Sequence, residues 1–270
     1  MALIAQLLCN FGASLNITHI GTATAILHLE GINIITDPVF SAAGGEWDLF
    51  GHILKTTKSA ALGLADLPPI DAVLLSHEDH PDNLDEPGRQ LLDGRHVLTT
   101  PDGALKLAPR PGVKALKPWE TTSLVLGGRS FSITGTPCEH LPGGEVTGFI
   151  VTTAAFGLTD GLPNAIYFSG DTIYLPELAK MKEKFHISVA LLNIGKVLVS
   201  GPEGPLQITL SGADAAKLFR EIEADVLVPM HFESWAHFTE NKEDLGKELE
   251  REGVSDKVIW LEPGVETKIV

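Results

Sequence analysis

Apolar residues in this chain come in short, β-branched runs cut apart by glycine, proline or charge, and that punctuation limits the chain to strand-rich folds. Asn16 to Ile20, Ala25 to Leu29 and Ile32 to Thr36 read as three strands, with Glu30-Gly31 as the turn between the second and third. Asp71 to Leu75 and His96 to Thr99 read as buried strands on either side of a helical stretch near Pro87 to Leu92. Thr121 to Pro137 reads as a hairpin turning at Gly127-Gly128, followed by strands at Val146 to Thr153 and Ala165 to Ser169. The pattern then alternates, predicting helix Pro176 to Phe185, strand Ile187 to Leu192, helix Ser211 to Ile222 and strand Val226 to Pro229. Ser211 and Asp214 suit a capping box. A charged helix over Glu240 to Glu252 and a last strand at Val258 to Leu261 complete an α/β chain, hairpins first and crossovers later. Residues 41 to 69, weakly periodic and rich in glycine, read as a loop with some helix, placed to act as a flexible lid.

No composition break marks a linker, so residues 1 to 270 read as one domain, long enough to bury its own core. Lys and Arg number 20 against 35 Asp and Glu, a formal net charge of −15, which is the wrong sign for gripping nucleic acid or an anionic membrane. No apolar run reaches the length of a membrane span. Met1 to Cys9 is apolar but lacks a basic leader segment, and reads as part of the fold. Cys9 and Cys138 form neither a CxxC motif nor a disulfide framework, which suits a reducing compartment. The expectation is a cytoplasmic protein acting on a small-molecule substrate, its oligomeric state open.

The chemistry concentrates after one strand. Ser76-His77-Glu78-Asp79-His80-Pro81-Asp82-Asn83-Leu84-Asp85 packs two imidazoles and four carboxylates into ten residues. So many acids repel one another unless a cation neutralises them, and imidazole with carboxylate suits zinc, manganese or iron. The plainer reading is a solvated acidic loop whose histidines cap a helix. Three further strand ends carry ligand-type residues: His140 after Thr136-Pro137-Cys138-Glu139, Asp171 after Tyr167-Phe168-Ser169-Gly170, and His231 after Val228-Pro229-Met230. Singly these are a loop histidine, a turn former and a packed core residue. Their coincidence carries weight, because strand ends converge on one rim of a sheet. Weaker candidates are His237, read as a surface histidine with pocket lining as the alternative, and Trp119, Glu120 and Trp235, as pocket walls or core. Cys138 lies near His140 without a nucleophile's surroundings, and Lys196 reads as solvent-facing, with an anionic substrate group as its alternative partner.

The order of strand and His cluster, later His, later Gly-Asp and final His resembles the metallo-β-lactamase superfamily. More narrowly, Ile17-Thr18-His19-Ile20-Gly21-Thr22-Ala23-Thr24, Ile35-Thr36-Asp37-Pro38-Val39-Phe40 and Leu67-Pro68-Pro69-Ile70-Asp71-Ala72-Val73-Leu74-Leu75-Ser76-His77 resemble the branch holding ascorbate-6-phosphate lactonase and N-acyl phosphatidylethanolamine phospholipase D. The resemblance runs from about residue 16 to residue 235 and implies a four-layer αβ/βα sandwich with metals at one edge between its sheets. The family's HxHxDH motif fits from either end with a one-residue disagreement. One register inserts a residue and gives His77, His80, Asp82 and Asn83; the other puts Asp79 in place of the second histidine. Either way the last histidine is lost, and Asn83 is a poor zinc ligand, so a second metal is expected to be weaker, absent, or a harder ion such as manganese. The family's Gly-His-Ala-Thr reads Gly21-Thr22-Ala23-Thr24. Carried over, His77, His80 and His140 hold one metal, Asp82 and His231 the second, and Asp171 bridges. Asp82 and His231 are the expected catalytic residues; with a single metal, Asp82 or Asp79 becomes a general base. The implied cofactor is one or two divalent ions per chain, zinc first, with manganese or iron as alternatives. The implied reaction is hydrolysis of an ester, lactone or phosphodiester by a metal-bound hydroxide. An iron-dependent oxygenase on the same fold and a scaffold protein with a decayed metal centre are the competing readings.

Overall fold

Two mixed sheets, packed face to face, divide the apolar side chains among three cores in the computed structural model, which describes residues 2–49, 52–141, 143–201 and 204–270. In spatial order the first sheet runs Glu266–Lys268, Asn16–Gly21, Thr24–Leu29, Ile32–Thr36, Ala72–Leu74, His96–Thr99 and Val113–Ala115. The second runs Val226–Met230, His186–Asn193, Leu162–Phe168, Thr147–Thr153, Arg129–Pro137 and Thr121–Leu126. Each sheet begins as antiparallel hairpins and grows by parallel crossovers, from Ile32–Thr36 to Ala72–Leu74 in the first and from Leu162–Phe168 to His186–Asn193 in the second.

Strand alternation decides which core each residue joins. Along Thr147–Thr153, Phe149 and Val151 point between the sheets while Ile150 points outward. Ile17, Leu27, Leu74, Phe131, Phe168 and Val228 fill the space between sheets. On the outer face of the second sheet, Ile150, Tyr167 and Leu192 share a core with Ala216 and Phe219 of helix Gly212–Glu221 and with Leu245 and Leu249 of helix Lys242–Arg251. On the outer face of the first, Ile35, Val73 and Val97 meet Leu91 of helix Glu86–Leu91 and Leu107. Each buried valine, leucine, isoleucine or phenylalanine among these contributes about 1.5–3 kcal/mol of transfer free energy. The outcome is the four-layer sandwich expected from the sequence. Ser211 and Asp214 cap Gly212–Glu221 reciprocally, as their spacing implies.

Three expectations are revised. Residues 41 to 69 hold an antiparallel hairpin, Glu46–Leu49 with His52–Lys55, and a short 3-10 turn at Leu64–Asp66; Phe50 and Gly51 lie outside the described residues. The hairpin is fixed by partners far away in sequence: Trp47 packs on Trp235 at 5.1 Å between ring centroids, and Thr56 bridges to Trp235. The stretch from Pro176 winds as a 3-10 helix to Glu183. Val258 makes one bridge to Leu227 rather than a strand, and the last strand is Glu266–Lys268, paired with Asn16–Gly21. From Ala2 the amino-terminal segment forms a short helix, and Leu8 behind it is buried in the core. No helix among the described residues is long and apolar enough to cross a membrane.

Candidate metal centre

Parallel strands present their carboxyl ends at one rim, and there the chain turns from apolar to ligand-type residues. Asp37 follows Ile32–Thr36, Ser76 and His77 follow Ala72–Leu74, and His140 follows Arg129–Pro137. Asp171 follows Leu162–Phe168, Asn193 ends His186–Asn193, and His231 follows Val226–Met230. The two sheets meet closely at this rim. A Cβ on Gly170, whose φ is +58°, would lie 2.7 Å from the Thr147 carbonyl oxygen and 2.8 Å from Ser76 Cβ, so only glycine fits. Asp37 and His231 also hold positive φ, 28° and 60°, at about 1–3 kcal/mol each.

Three imidazoles converge. His77 Nε2 lies 2.9 Å and His140 Nε2 3.2 Å from His80 Nδ1, and the three ligating atoms fall within 4.8 Å of one another. The outer nitrogens of two of them are held in place. His140 Nδ1 donates to the Ile208 carbonyl at 2.6 Å, which leaves Nε2 with a free lone pair. His77 Nδ1 donates to Ser76 Oγ at 2.8 Å, and that hydroxyl donates to Asp37 Oδ2 at 2.6 Å. Asp37 also accepts from the Ser76 amide at 2.6 Å and Asn83 Nδ2 at 3.0 Å, yet burial pushes its carboxyl up to about 7. Burial, and then the neighbouring imidazoles, hold His77 well below the usual histidine range. Burial also lowers His140, against the opposing pull of Asp171. Both therefore stay neutral near pH 7, which is the ligating form.

A second group faces the first. His231 Nε2 stands 3.4 Å from Asp82 Oδ2 and 3.3 Å from Asp171 Oδ2, and it is aligned for a hydrogen bond with neither. Asp171 Oδ2 is 4.0 Å from His140 Nε2 and so links the two groups, while Asn193 Nδ2 fixes its other oxygen at 2.7 Å. Burial alone would raise Asp82, but His231 and His237 outweigh it and hold the carboxyl well below the usual carboxylate range. Burial likewise opposes charge on His231, and Asp171 and Asp82 outweigh it, moving its pKa up. Buried donors and acceptors that approach without pairing are costly unless a shared partner satisfies them. Imidazoles kept neutral by burial at His77 and His140, a carboxylate held ionised at Asp82, and the orphaned Asp82 Oδ1 and His231 Nε2 fit a divalent cation.

The acid-rich segment divides its labour. Glu78 pairs with Lys106 at 2.9 Å and Arg89 at 3.6 Å, and Asp85 caps helix Glu86–Leu91 through the Gly88 amide. Protein cations thus neutralise part of the acid density, and the segment is largely buried rather than a solvated loop, with Asp85 and not a histidine capping the helix. Asp79 lies outside the converging triad of His77, His80 and His140: its side chain is 38% exposed and stands 3.9 Å from Lys106. Asn83 is turned away toward Asp37. Thr22, standing where the resemblance expects histidine, accepts the His231 amide on its carbonyl and Trp235 Nε1 on its hydroxyl.

Above the ligands lies a cavity of about 200 Å3. Its floor is His80, Asp82, His140, Asp171, His231 and His237; its walls are Leu49 and Leu54 from one hairpin, Val197, Val199 and Ile208 around another, and Leu141. That second hairpin pairs Leu198–Gly201 with Gly204–Gln207; Pro202 and Glu203 lie outside the described residues. His237 is in the site, 3.2 Å from Asp82 Oδ2, against its reading as a surface residue. Lys196 instead faces Glu240 at 3.6 Å, Trp119 donates to Glu177 at 2.9 Å, and burial keeps the Cys138 thiol protonated. Asp37 and Asn193 were not singled out in the sequence as site residues. Asp37 has a visible signal, an acid directly after a buried strand and before a proline; Asn193 has none.

Known proteins share this arrangement of chain. A metal-dependent hydrolase of the UPF0173 group from Methanopyrus kandleri is 25% identical over 264 residues, covering 93% of this chain and 98% of that protein. Among solved structures, an isothiocyanate hydrolase from Delia radicum gut bacteria superposes with a TM-score of 0.74 at 20% identity, covering 93% of this chain and 98% of the other. Igni18, a metallo hydrolase from Ignicoccus hospitalis, gives 0.71 at 20% identity over 94% and 98%. The sandwich is the metallo-β-lactamase fold. With residues 32–232 matching the beta-lactamase superfamily domain, the chain belongs to that family.

Proposed function

We propose that the protein is a metal-dependent hydrolase of uncharged carboxylic esters or lactones bearing a small apolar substituent. One observation carries this reading: a histidine triad and the facing Asp82, Asp171, His231 group converge beneath a cavity with leucine, valine and isoleucine walls. His77, His80 and His140 would hold one ion, Asp82 and His231 a second, with Asp171 between them. A bound divalent ion supplies Lewis acidity toward a carbonyl oxygen and brings the pKa of water near neutrality. Asp82, held so acidic, is a poor proton acceptor near pH 7 and serves instead to orient water by hydrogen bonding. Asn193 and the His231 backbone keep the opposing groups in register.

The walls favour esters and lactones over phosphodiesters. No lysine or arginine stands among the described residues lining the cavity, and two carboxylates lie on its floor, so an anionic substrate would be repelled unless the ions offset it. The resemblance of residues 17–24, 35–40 and 67–77 to the lactonase and phospholipase D branch supports the same chemistry in its lactonase form. The test is kcat/KM of zinc- and manganese-loaded protein on a short-chain aryl ester, a γ-lactone and a phosphodiester of the same aryl alcohol. Neutral substrates should exceed the phosphodiester by tenfold or more, and Val199→Arg should narrow the ratio. Equal or greater phosphodiester turnover would overturn the substrate class. Oxygen consumption by iron-loaded protein without hydrolysis would favour the oxygenase reading.

A further inference from the structure

The motif that should supply the second ion's histidine ends in Asn83, and Asn83 is fully buried with its amide committed to Asp37 Oδ2 at 3.0 Å. It is absent from the residues lining the cavity. Another imidazole occupies the space near Asp82. His237 Nε2 is 3.2 Å from Asp82 Oδ2, and its side chain, 15% exposed, lines the same cavity floor as Asp82, Asp171 and His231. The ring is held from two sides. Phe238 lies 4.5 Å and Trp235 5.9 Å away between centroids, and Phe238 also packs on His231 at 4.7 Å.

The spacing suits a shared ion. Bonds of about 2.0–2.1 Å arranged tetrahedrally separate ligand atoms by roughly 3.3–3.4 Å. The observed separations are 3.2 Å for His237 with Asp82, 3.4 Å for His231 with Asp82 and 3.3 Å for His231 with Asp171. His231 Nε2 and Asp82 Oδ1 have no hydrogen-bond partner, so the group is not closed among its own members. We propose that His237 replaces the histidine lost at Asn83 and completes a second cation site with Asp82, Asp171 and His231. Two imidazoles and two carboxylates there select zinc, manganese or iron over magnesium or calcium. The loop after the last parallel strand thus restores from afar what the altered motif gives up. This inference rests on the metal reading above.

The experiment measures stoichiometry, not turnover. Full-length protein is stripped of metal, the chelator removed, and zinc bound at equilibrium dialysis is counted by elemental mass spectrometry for wild type, His237→Gln, His237→Cys and His80→Ala. Glutamine keeps an N–H toward Asp82 but is a poor ligand, whereas cysteine offers a thiolate. Wild type should bind two ions; H237Q should keep one at wild-type affinity and bind the other at least tenfold more weakly; H237C should recover it. H80A should lose the triad ion. If H237Q binds both ions as wild type does, or if wild type binds only one, His237 merely positions Asp82 and the proposal is overturned while the triad reading stands. If wild type binds none, the metal reading itself fails. Equal melting temperatures of metal-free wild type and H237Q check the fold; should H237Q be less stable, H237C carries the comparison.

Discussion

Replacing Ser76 by alanine tests whether the chain itself prepares His77 to bind metal. The Ser76 hydroxyl accepts from His77 Nδ1 at 2.8 Å and donates to Asp37 Oδ2 at 2.6 Å, all three groups being buried. Losing one neutral bond and one to a carboxylate costs about 2–4 kcal/mol before relaxation. Relaxation is at hand: His77 can carry its proton on Nε2 and donate to His80 Nδ1, 2.9 Å away, so that no N–H is left facing the missing hydroxyl, which offsets about 1 kcal/mol. Metal-free Ser76→Ala should therefore be about 2 kcal/mol less stable, a fall of roughly 4–8 °C in melting temperature. Binding metal then requires the reverse tautomer shift and leaves a buried N–H without a partner. Zinc affinity should drop 10- to 100-fold. Urea unfolding of the metal-free protein gives the first figure, and zinc dialysis the second. Nitrogen-15 spectra of the imidazoles report the tautomer, expected on Nδ1 in wild type and on Nε2 in the variant. A variant with the wild-type tautomer and wild-type zinc affinity would refute the relay.

Gly170→Ala should cost about 3 kcal/mol or more in chemical denaturation, because its Cβ meets backbone and side chain at 2.7 and 2.8 Å in a left-handed conformation; a loss below 1 kcal/mol would mean the two sheets part there easily. Asn193→Ala should cost about 2 kcal/mol by stripping the donor 2.7 Å from buried Asp171 Oδ1, measurable by the same unfolding curves. His186, away from the centre, is held above the usual histidine pKa by Asp225 at 2.7 Å, against partial burial. A raised folded pKa stabilises fully below about pH 6.5 and ceases to do so as pH climbs through the folded value. His186→Asn should thus cost about 1 kcal/mol at pH 5.5 and much less at pH 9, in unfolding curves run at both; equal losses would contradict the ion pair.

Part of the centre could be read from order along the chain. His77, His140, Asp171 and His231 each stand just after a strand, and β-branched runs mark those strands locally; Asp82, farther along its segment, is placed by the family resemblance. What the sequence left open was geometry over distance. The choice between Asp79 and His80 turned on a one-residue register; in the fold His80 joins the other two imidazoles, while Glu78 and Asp79 face Lys106. His237 belongs to the site because Trp235 and Phe238 fold its loop inward, a packing with no periodic signature. The hairpin in residues 41 to 69 was hidden for the same reason, its Trp47 finding Trp235 across the chain. Val258 to Leu261 looks like a strand by composition, but Val258 has a single bridge to Leu227, and the edge of the first sheet is taken by Glu266–Lys268 instead.

The most direct measurement is the metal content of protein purified without chelator or added metal, read by elemental mass spectrometry beside Asp171→Ala and His80→Ala. Zinc, manganese or iron at about one to two equivalents per chain, reduced in both variants, is the result expected of a divalent-metal centre. No bound metal, none recovered on reconstitution, and a melting temperature unmoved by added zinc, manganese or iron would contradict it.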